Sequence, residues 1–299
     1  MTGAAILCIL AQQLGTEGFV RALTGLDATT LLTGTIIAGV TTACSAWRWR
    51  TVARQLRVEV PWSFAVAACY RAQFWNVSLP GGVLGDIDRG LRHGRAVHDL
   101  ARGVRAVVWE RTLGLLVLVV AAGGALIAAR PFEPVRMLVV AGITTALPAG
   151  LFAVACRSRA VAEDARVLLH PAVLVTVVVS SLAALTGYIL TLALAAHAVG
   201  VRMPPTDFVP VALFVLLVAA VPVNFAGWGP REGAAVWAFG TAGSTGDEGL
   251  AVAVAFGVIV AAGTVPGAVL VLLGDGRRPN LRLSGSPTGT VRRGGGARE

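Results

Sequence analysis

The sequence predicts an all-α, polytopic helical membrane protein, and three observations predict it. Four stretches carry no charge: Thr112–Ala129 has 18 residues, Met137–Cys156 has 20, Val167–Val201 has 35 and Gly249–Gly274 has 26. A helix needs about 20 residues to cross a hydrocarbon core roughly 30 Å thick, so three of these can span and the fourth nearly can. The 299 residues are 56% hydrophobic and only 14% charged, unlike a soluble domain. Finally, the runs are apolar throughout instead of alternating, which excludes barrel strands and leaves a helical bundle to satisfy the backbone in lipid.

Taken in order, Met1–Thr16 is apolar and uncharged but lacks a basic n-region and a clean cleavage site, so it reads as a short first helix. A polar loop with Glu17, Arg21 and Asp27 leads to a span over Ala28–Trp47, ended by Arg48, Arg50, Arg54 and Arg57. Val60–Asp88 is mostly apolar, holds Arg71 near its middle and is broken at Asn76-Val-Ser-Leu-Pro-Gly-Gly. Neither half is long enough to span, the pattern of a re-entrant hairpin. A second basic cluster, Arg89 to Arg105, precedes a long helix ending at Ala129. After a short loop come the span Met137–Cys156, a polar connector from Arg157 to Arg166, and a span over Pro171–Ala196. The apolar run Phe208–Pro230 is either a span with Gly233–Gly246 as its short return, or the first arm of a second re-entrant segment. Gly249–Gly274 is the last span. These elements make one integral membrane domain over 1–275, with halves near 28–156 and 157–274. Gly, Pro, Ser and Arg dominate residues 276–299, which read as a disordered cytoplasmic tail.

The net charge of +9 comes from arginine alone, since the chain has no lysine. Because these arginines flank apolar runs, they report membrane topology and not a nucleic-acid partner. One side receives eighteen of them, the other only Arg21, Arg130, Arg136 and Arg202, which predicts a cytoplasmic C-terminus. Val60–Asp88 then enters and leaves on the cytoplasmic side, and Phe208–Gly246 on the outer side. Two broken segments facing opposite ways point to an inverted-topology repeat around a central site. The four cysteines and four histidines are dispersed without ligand spacing, so neither a metal nor another cofactor is expected.

A charge at the centre of a membrane helix costs about 2.5–3.5 kcal/mol even on the mildest scale, so such residues line polar cavities or pair with one another. In the first motif, Pro80 lacks an amide hydrogen, while Gly81, Gly82 and Gly85 permit backbone angles closed to other residues. A helix restarting near Asp86 would offer its free amides to an anion, and Asp86 can pair with Arg89 across one turn. A tight interfacial turn with solvated charges is the plainer reading. Glu110 and Arg111 lie 19 and 20 residues before Arg130, about 28 Å along a helix, near the cytoplasmic edge of the hydrocarbon. There Arg111 can hold a phosphate while Glu110 pairs with Arg89 or Arg71, or both can snorkel. In the second motif, Pro222, Gly227, Gly229 and Pro230 make an uninterrupted helix implausible. Pro230 in the first turn of a new helix would set Arg231 and Glu232 beside its free amides.

The sequence has no nucleophile elbow, phosphate-binding loop, zinc-protease motif or dinucleotide fingerprint. Asp86 and Asp88 make only a faint Asp-x-Asp metal-sugar pair. What the chain does resemble is the membrane region of the lysylphosphatidylglycerol synthase family, also described as flippase-like membrane proteins. The resemblance rests on Ala46-Trp47-Arg48-Trp49, on Arg71…Asn76…Leu79-Pro80-Gly81-Gly82…Gly85-Asp86…Arg89, on Glu110-Arg111 with Gly114, and on Val221-Pro222…Gly227-Trp228-Gly229-Pro230-Arg231-Glu232-Gly233. It covers about residues 1–275. The last motif usually reads Gly-Leu-Gly-x-Arg-Glu, so Trp228 is a departure.

In full-length members this region is thought to move aminoacylated phosphatidylglycerol between leaflets, while a separate soluble domain makes that lipid. This chain ends in a short tail, so aminoacyl transfer is not expected of it. The resemblance implies a bacterial or archaeal cell-membrane protein that translocates an anionic phospholipid or a polyprenyl-phosphate-linked lipid, in the manner of a flippase or scramblase. Arg71, Asn76, Arg89, Arg111, Asn224 and Arg231 are the candidate headgroup-binding residues, and Asp86, Glu110 and Glu232 the candidate ion-pairing or gating acids. Two alternatives stay open. One is a membrane-embedded glycosyltransferase or lipid-modifying enzyme built on Asp86, Asp88 or Glu110, and the other a non-catalytic member of an envelope complex.

Overall fold

Every regular element among the described residues is a helix. The computed structural model describes residues 17–79, 81–128, 158–220 and 229–274. The expectations for Met1–Thr16, Met137–Cys156 and the tail, and those for Pro80, Pro222, Asn224 and Gly227, lie outside them. The helices are α1 (Glu17–Gly25), α2 (Ala28–Gln55), α3 (Trp62–Ser78), α4 (Leu84–Ala96), α5 (Leu100–Ala128), α6 (Arg159–Leu168), α7 (Pro171–Ala198), α8 (Pro205–Ala219), α9 (Pro230–Thr241), α10 (Gly246–Gly263) and α11 (Val265–Leu272). Four stretches are long and apolar enough to cross a membrane: Ala28–Gln55, Leu100–Ile127, Pro171–Ala198 and Gly246–Leu272, the last combining α10 and α11. The chain is thus built as a multi-pass membrane protein.

Local sequence sets the helix starts. Asp27 caps α2 by accepting from the Thr30 amide at 2.7 Å, and its bonds to Thr30 hold its carboxyl below the usual carboxylate range. Prolines open α7, α8 and α9, where a missing amide hydrogen costs nothing. Thr245 and Glu248 form a reciprocal capping box on α10.

Three expectations change. The span expected over Ala28–Trp47 runs on to Gln55, so Arg48, Arg50 and Arg54 are helical and Arg48 is buried. The basic cluster from Arg89 to Arg105, expected to precede the long helix, occupies α4 and the start of that helix, α5. The helix of the run expected from Phe208 begins earlier, at Pro205, and is described as far as Ala219.

α2 and α7 pack along each other at the centre, and α5 and α10 each lie against both. Gly187 of α7 lets α2 approach, since a Cβ there would collide with Thr41. Two helical hairpins flank this centre. In α3–α4, contacts between Cys69 and Arg89 and between Asn76 and Asp86 define antiparallel packing. In α8–α9, ring contacts of Phe208 with Phe239 and Phe214 with Trp237 define the same arrangement. α4 leans on α5 and α9 on α10, while α3 packs on α11 and α8 on α5. At one end of α2, Arg21 donates to the Val199 carbonyl and approaches Glu248, gathering α1, α7 and α10. At the other, Arg50 donates to the Val60 carbonyl, and further along the same side Arg105 pairs with Asp164 of α6 at 2.7 Å.

Candidate functional site

The break after Leu79 is a backbone event. Gly81 and Gly82 have φ of 93° and 62°, angles that disfavour residues with a side chain. At Gly85 a Cβ would run into the Ala72 backbone, so only glycine lets α4 settle against α3. Asn76 fastens the two arms: its Oδ1 accepts from the Gly85 amide at 2.8 Å and its Nδ2 donates to Asp86 at 2.9 Å. The Asn76 side chain is therefore a hinge pin of the hairpin, and it fixes the Asp86 carboxylate.

Glu110 of α5 is the hub of a buried charge network, with only 1% of its surface exposed. Arg48 of α2 donates to Oε1 from Nε at 3.0 Å and from Nη2 at 2.5 Å, while its Nη1 reaches Ser181 Oγ of α7 at 3.0 Å. Arg89 of α4 donates to Oε2 at 2.7 Å, and the same nitrogen lies 3.0 Å from Asp86. Arg111 bonds Asp86 at 2.8 Å and sits 3.9 Å from Glu110, with Tyr188 of α7 also close enough to feel its charge. Gly114 makes room for the Arg48 guanidinium, which a Cβ would touch. The Arg89 guanidinium lies 4.6 Å over the Trp49 ring and donates to Cys69 Sγ, and His93 meets Trp49 edge-on. Four helices thus converge on one carboxylate.

The charges do not cancel. Arg48, Arg89 and Arg111 face Asp86 and Glu110, a formal excess of one positive charge. Arg48 and Arg89 are buried, whereas half of the Arg111 side chain is exposed. The excess is consequently presented at Arg111. A net positive charge presented at a half-exposed guanidinium attracts an anion and repels a cation.

The second break carries a smaller pair. Gly229 has φ 125° and precedes α9. Glu232, fully buried, accepts from the Gly229 amide at 2.6 Å and from Arg231 at 2.9 Å. The Arg231 guanidinium lies 5.3 Å over the Phe256 ring and against Gly257 of α10. Here one acid matches one cation.

Of the residues singled out in the sequence, Asn76, Asp86, Arg89, Glu110 and Arg111 come together in one network. Arg231 and Glu232 form the pair just described, and Arg71 is half-buried on α3. Asp86 pairs with Arg89, and of the two partners open to Glu110 in the sequence, Arg89 is the one beside it. Arg48 corrects the expectation: counted among cytoplasmic arginines, it is instead the bidentate partner of Glu110. Ser181 and Tyr188 carry no signal in the sequence, and Trp49 stands there only as part of the Ala46-Trp47-Arg48-Trp49 motif. A positive group embedded in Ala46-Trp47-Arg48-Trp49 was the available signal. Asp88 turns away from Asp86 and pairs with Arg92 at 2.9 Å, so the two do not form a common ligand set. Among the described residues no three His, Cys, Asp or Glu side chains gather as metal ligands.

The family model described as the lysylphosphatidylglycerol synthase TM region matches residues 1–267, and the chain belongs to that family. No curated protein and no solved structure matches it.

Proposed function

We propose that the protein translocates an anionic lipid, a phospholipid or a polyprenyl-phosphate-linked lipid, by letting its headgroup pass the Arg111 site while its chains stay in the bilayer. The observation that carries this reading is the uncompensated charge. Carrying phosphate through hydrocarbon is costly, and a fixed guanidinium already held by Asp86 lowers that cost without reorganising. Arg48 and Glu110 act as the rigid backing, and Asn76, Arg89 and Asp86 position the exposed cation. Family membership supports the same reading, since the matched region is a membrane region associated with lipid translocation.

The packing supports a two-fold inverted repeat. Pairing α2–α3–α4–α5 with α7–α8–α9–α10 maps most of the contacts among these eight helices onto one another: α4 on α5 becomes α9 on α10, α3 on α4 becomes α8 on α9, and α2 on α10 becomes α7 on α5. On this reading both hairpins are re-entrant, one from each side, and Asp86 and Glu232 both occupy the third position of the returning helix. Arg231 would then line the route from the opposite side, and Arg71 on α3 belongs to the side of the first hairpin. No ion for coupling is implied, so passive exchange between leaflets is the simplest mode.

The test is reconstitution into liposomes with fluorescent phosphatidylglycerol, phosphatidylcholine and a polyprenyl phosphate, read by bleaching of the outer leaflet. Wild type should bleach an anionic lipid beyond the protein-free fraction. Arg111→Gln should slow exchange about tenfold or more, the worth of one charge-assisted hydrogen bond. Because Asp86 keeps Arg89 and Asn76, this variant should melt normally. No exchange with any of the three lipids, or identical rates for wild type and Arg111→Gln, would overturn the proposal.

A further inference from the structure

A second site lies on the other side of α3, outside the charge network. α3 buries Ala65, Ala68, Cys69 and Ala72 towards α4 and the network. Its opposite face, with Trp62, Val66, Ala67 and Tyr70, joins Pro266 and Val269 of α11 to line an open, almost wholly apolar groove of about 620 Å³. Gly267 anchors the α3–α11 contact, because a Cβ there would strike the Tyr70 carbonyl. The groove's flanks are hydrophobic and outward-facing: Val265, Val269 and Leu272 are exposed. Its volume falls in the range of pockets that bind small organic molecules.

At the head of the groove stands a cation. The Arg50 guanidinium lies 5.8 Å from the Trp62 ring centroid, and its Nε donates to the Val60 carbonyl at 2.8 Å. Those contacts orient Arg50 and leave its two terminal amino groups directed to no acceptor among the described residues. An aromatic ring beside a guanidinium at the end of an apolar trough matches a phospholipid, whose phosphate and first chain carbons meet at the membrane interface. The bilayer competes with the groove for hydrocarbon on equal terms, so shape alone would not hold a chain. The charge at Arg50 supplies the preference.

We infer that this groove binds one chain of an anionic phospholipid from the cytoplasmic leaflet, with its phosphate at Arg50. The site is independent of transport through the Arg111 network and stands whether or not that reading does. Because the bound chain lies along both α3 and α11, it ties the first hairpin to the last helix.

The experiment uses the full chain in nanodiscs of mixed phosphatidylglycerol and phosphatidylcholine, with a photo-crosslinking phenylalanine analogue at position 67 and, as a control, at the exposed Val120 of α5. Crosslinked lipid is identified by mass spectrometry. Position 67 should capture phosphatidylglycerol several-fold above its share of the bilayer, and position 120 in proportion to it. Arg50→Gln should bring position 67 back to the bilayer ratio while the control stays unchanged. Equal ratios at both positions in the wild type would mean ordinary surrounding lipid and would overturn the inference. So would an enrichment that Arg50→Gln leaves intact, or displacement of phosphatidylglycerol by trace polyprenyl phosphate, which would assign the groove to a different lipid.

Discussion

Glu110 carries more of this molecule's architecture than any other side chain, because two buried guanidinium groups depend on it. Removing one member of a buried pair leaves a charge without solvent or partner, at about 3–5 kcal/mol. Glu110→Gln strands both Arg48 and Arg89, so we expect its melting temperature in detergent to fall sharply, or the protein to fail to accumulate. Pairing that change with Arg48→Met should recover part of the loss, since the double variant buries one charge fewer. Full additivity of the two changes would mean that the contact is not coupled as drawn. This hub was half legible in the sequence. Glu110 stands out in the sequence as an acid in an apolar helix, with Arg89 and Arg71 as its two candidate partners. Arg48 did not stand out, because an arginine at the end of an apolar run ordinarily marks the cytoplasmic boundary. The helix continues for seven residues beyond it, to Gln55, and that continuation buries it against Ser181.

The hairpins were the most readable elements, for a reason intrinsic to the backbone. Proline and glycine announce a break without knowledge of what packs nearby, and Gly81, Gly82 and Gly229 do adopt the positive φ that their sequence context suggested. What the break accomplishes was not readable, since it depends on which turn of α3 meets which turn of α4. Gly85 belongs to this class. It was read as conformational freedom, yet its role is close approach to Ala72, inside helix α4. A side chain there must push the arms apart and stretch both Asn76 bonds. Gly85→Val is expected to cost more than the roughly 1–3 kcal/mol of ordinary overpacking, because backbone, not a flexible side chain, stands in the way. Asn76→Ala should weaken the hairpin by a comparable amount without steric strain. Both are checked by protease protection of the linker around residues 79–83 in detergent. Unchanged cleavage of either variant would show that the hairpin is held elsewhere.

At the scale of the whole molecule, the side-chain contacts sort the helix ends into two groups. Asp27, Val199 and the start of α10 share one end, while Val60 and α6 share the other, and α2 runs between them. The ion pairs follow the same rule: Arg21 with Glu248 joins the short helix α1 to the start of α10, and Arg105 with Asp164 joins the short helix α6 to the start of α5. The two helices that the proposed repeat makes equivalent, α5 and α10, are therefore fastened at opposite ends of the bundle, with the signs of the charges exchanged. The proposed repeat would leave little identity between halves, so it rests on breakpoints and arginine counts and not on alignment. Its sharpest consequence is topological. With the native cysteines replaced by serine, Arg95→Cys lies on the returning arm of the first hairpin and Thr206→Cys at the start of the second, both exposed. A membrane-impermeant maleimide added to intact cells should label position 206 and spare 95, and inverted vesicles should reverse the pattern. Labelling of both positions from the same side would place the two hairpins in one orientation. It would remove the inverted repeat, and with it the idea that Arg111 and Arg231 serve a headgroup arriving from opposite leaflets.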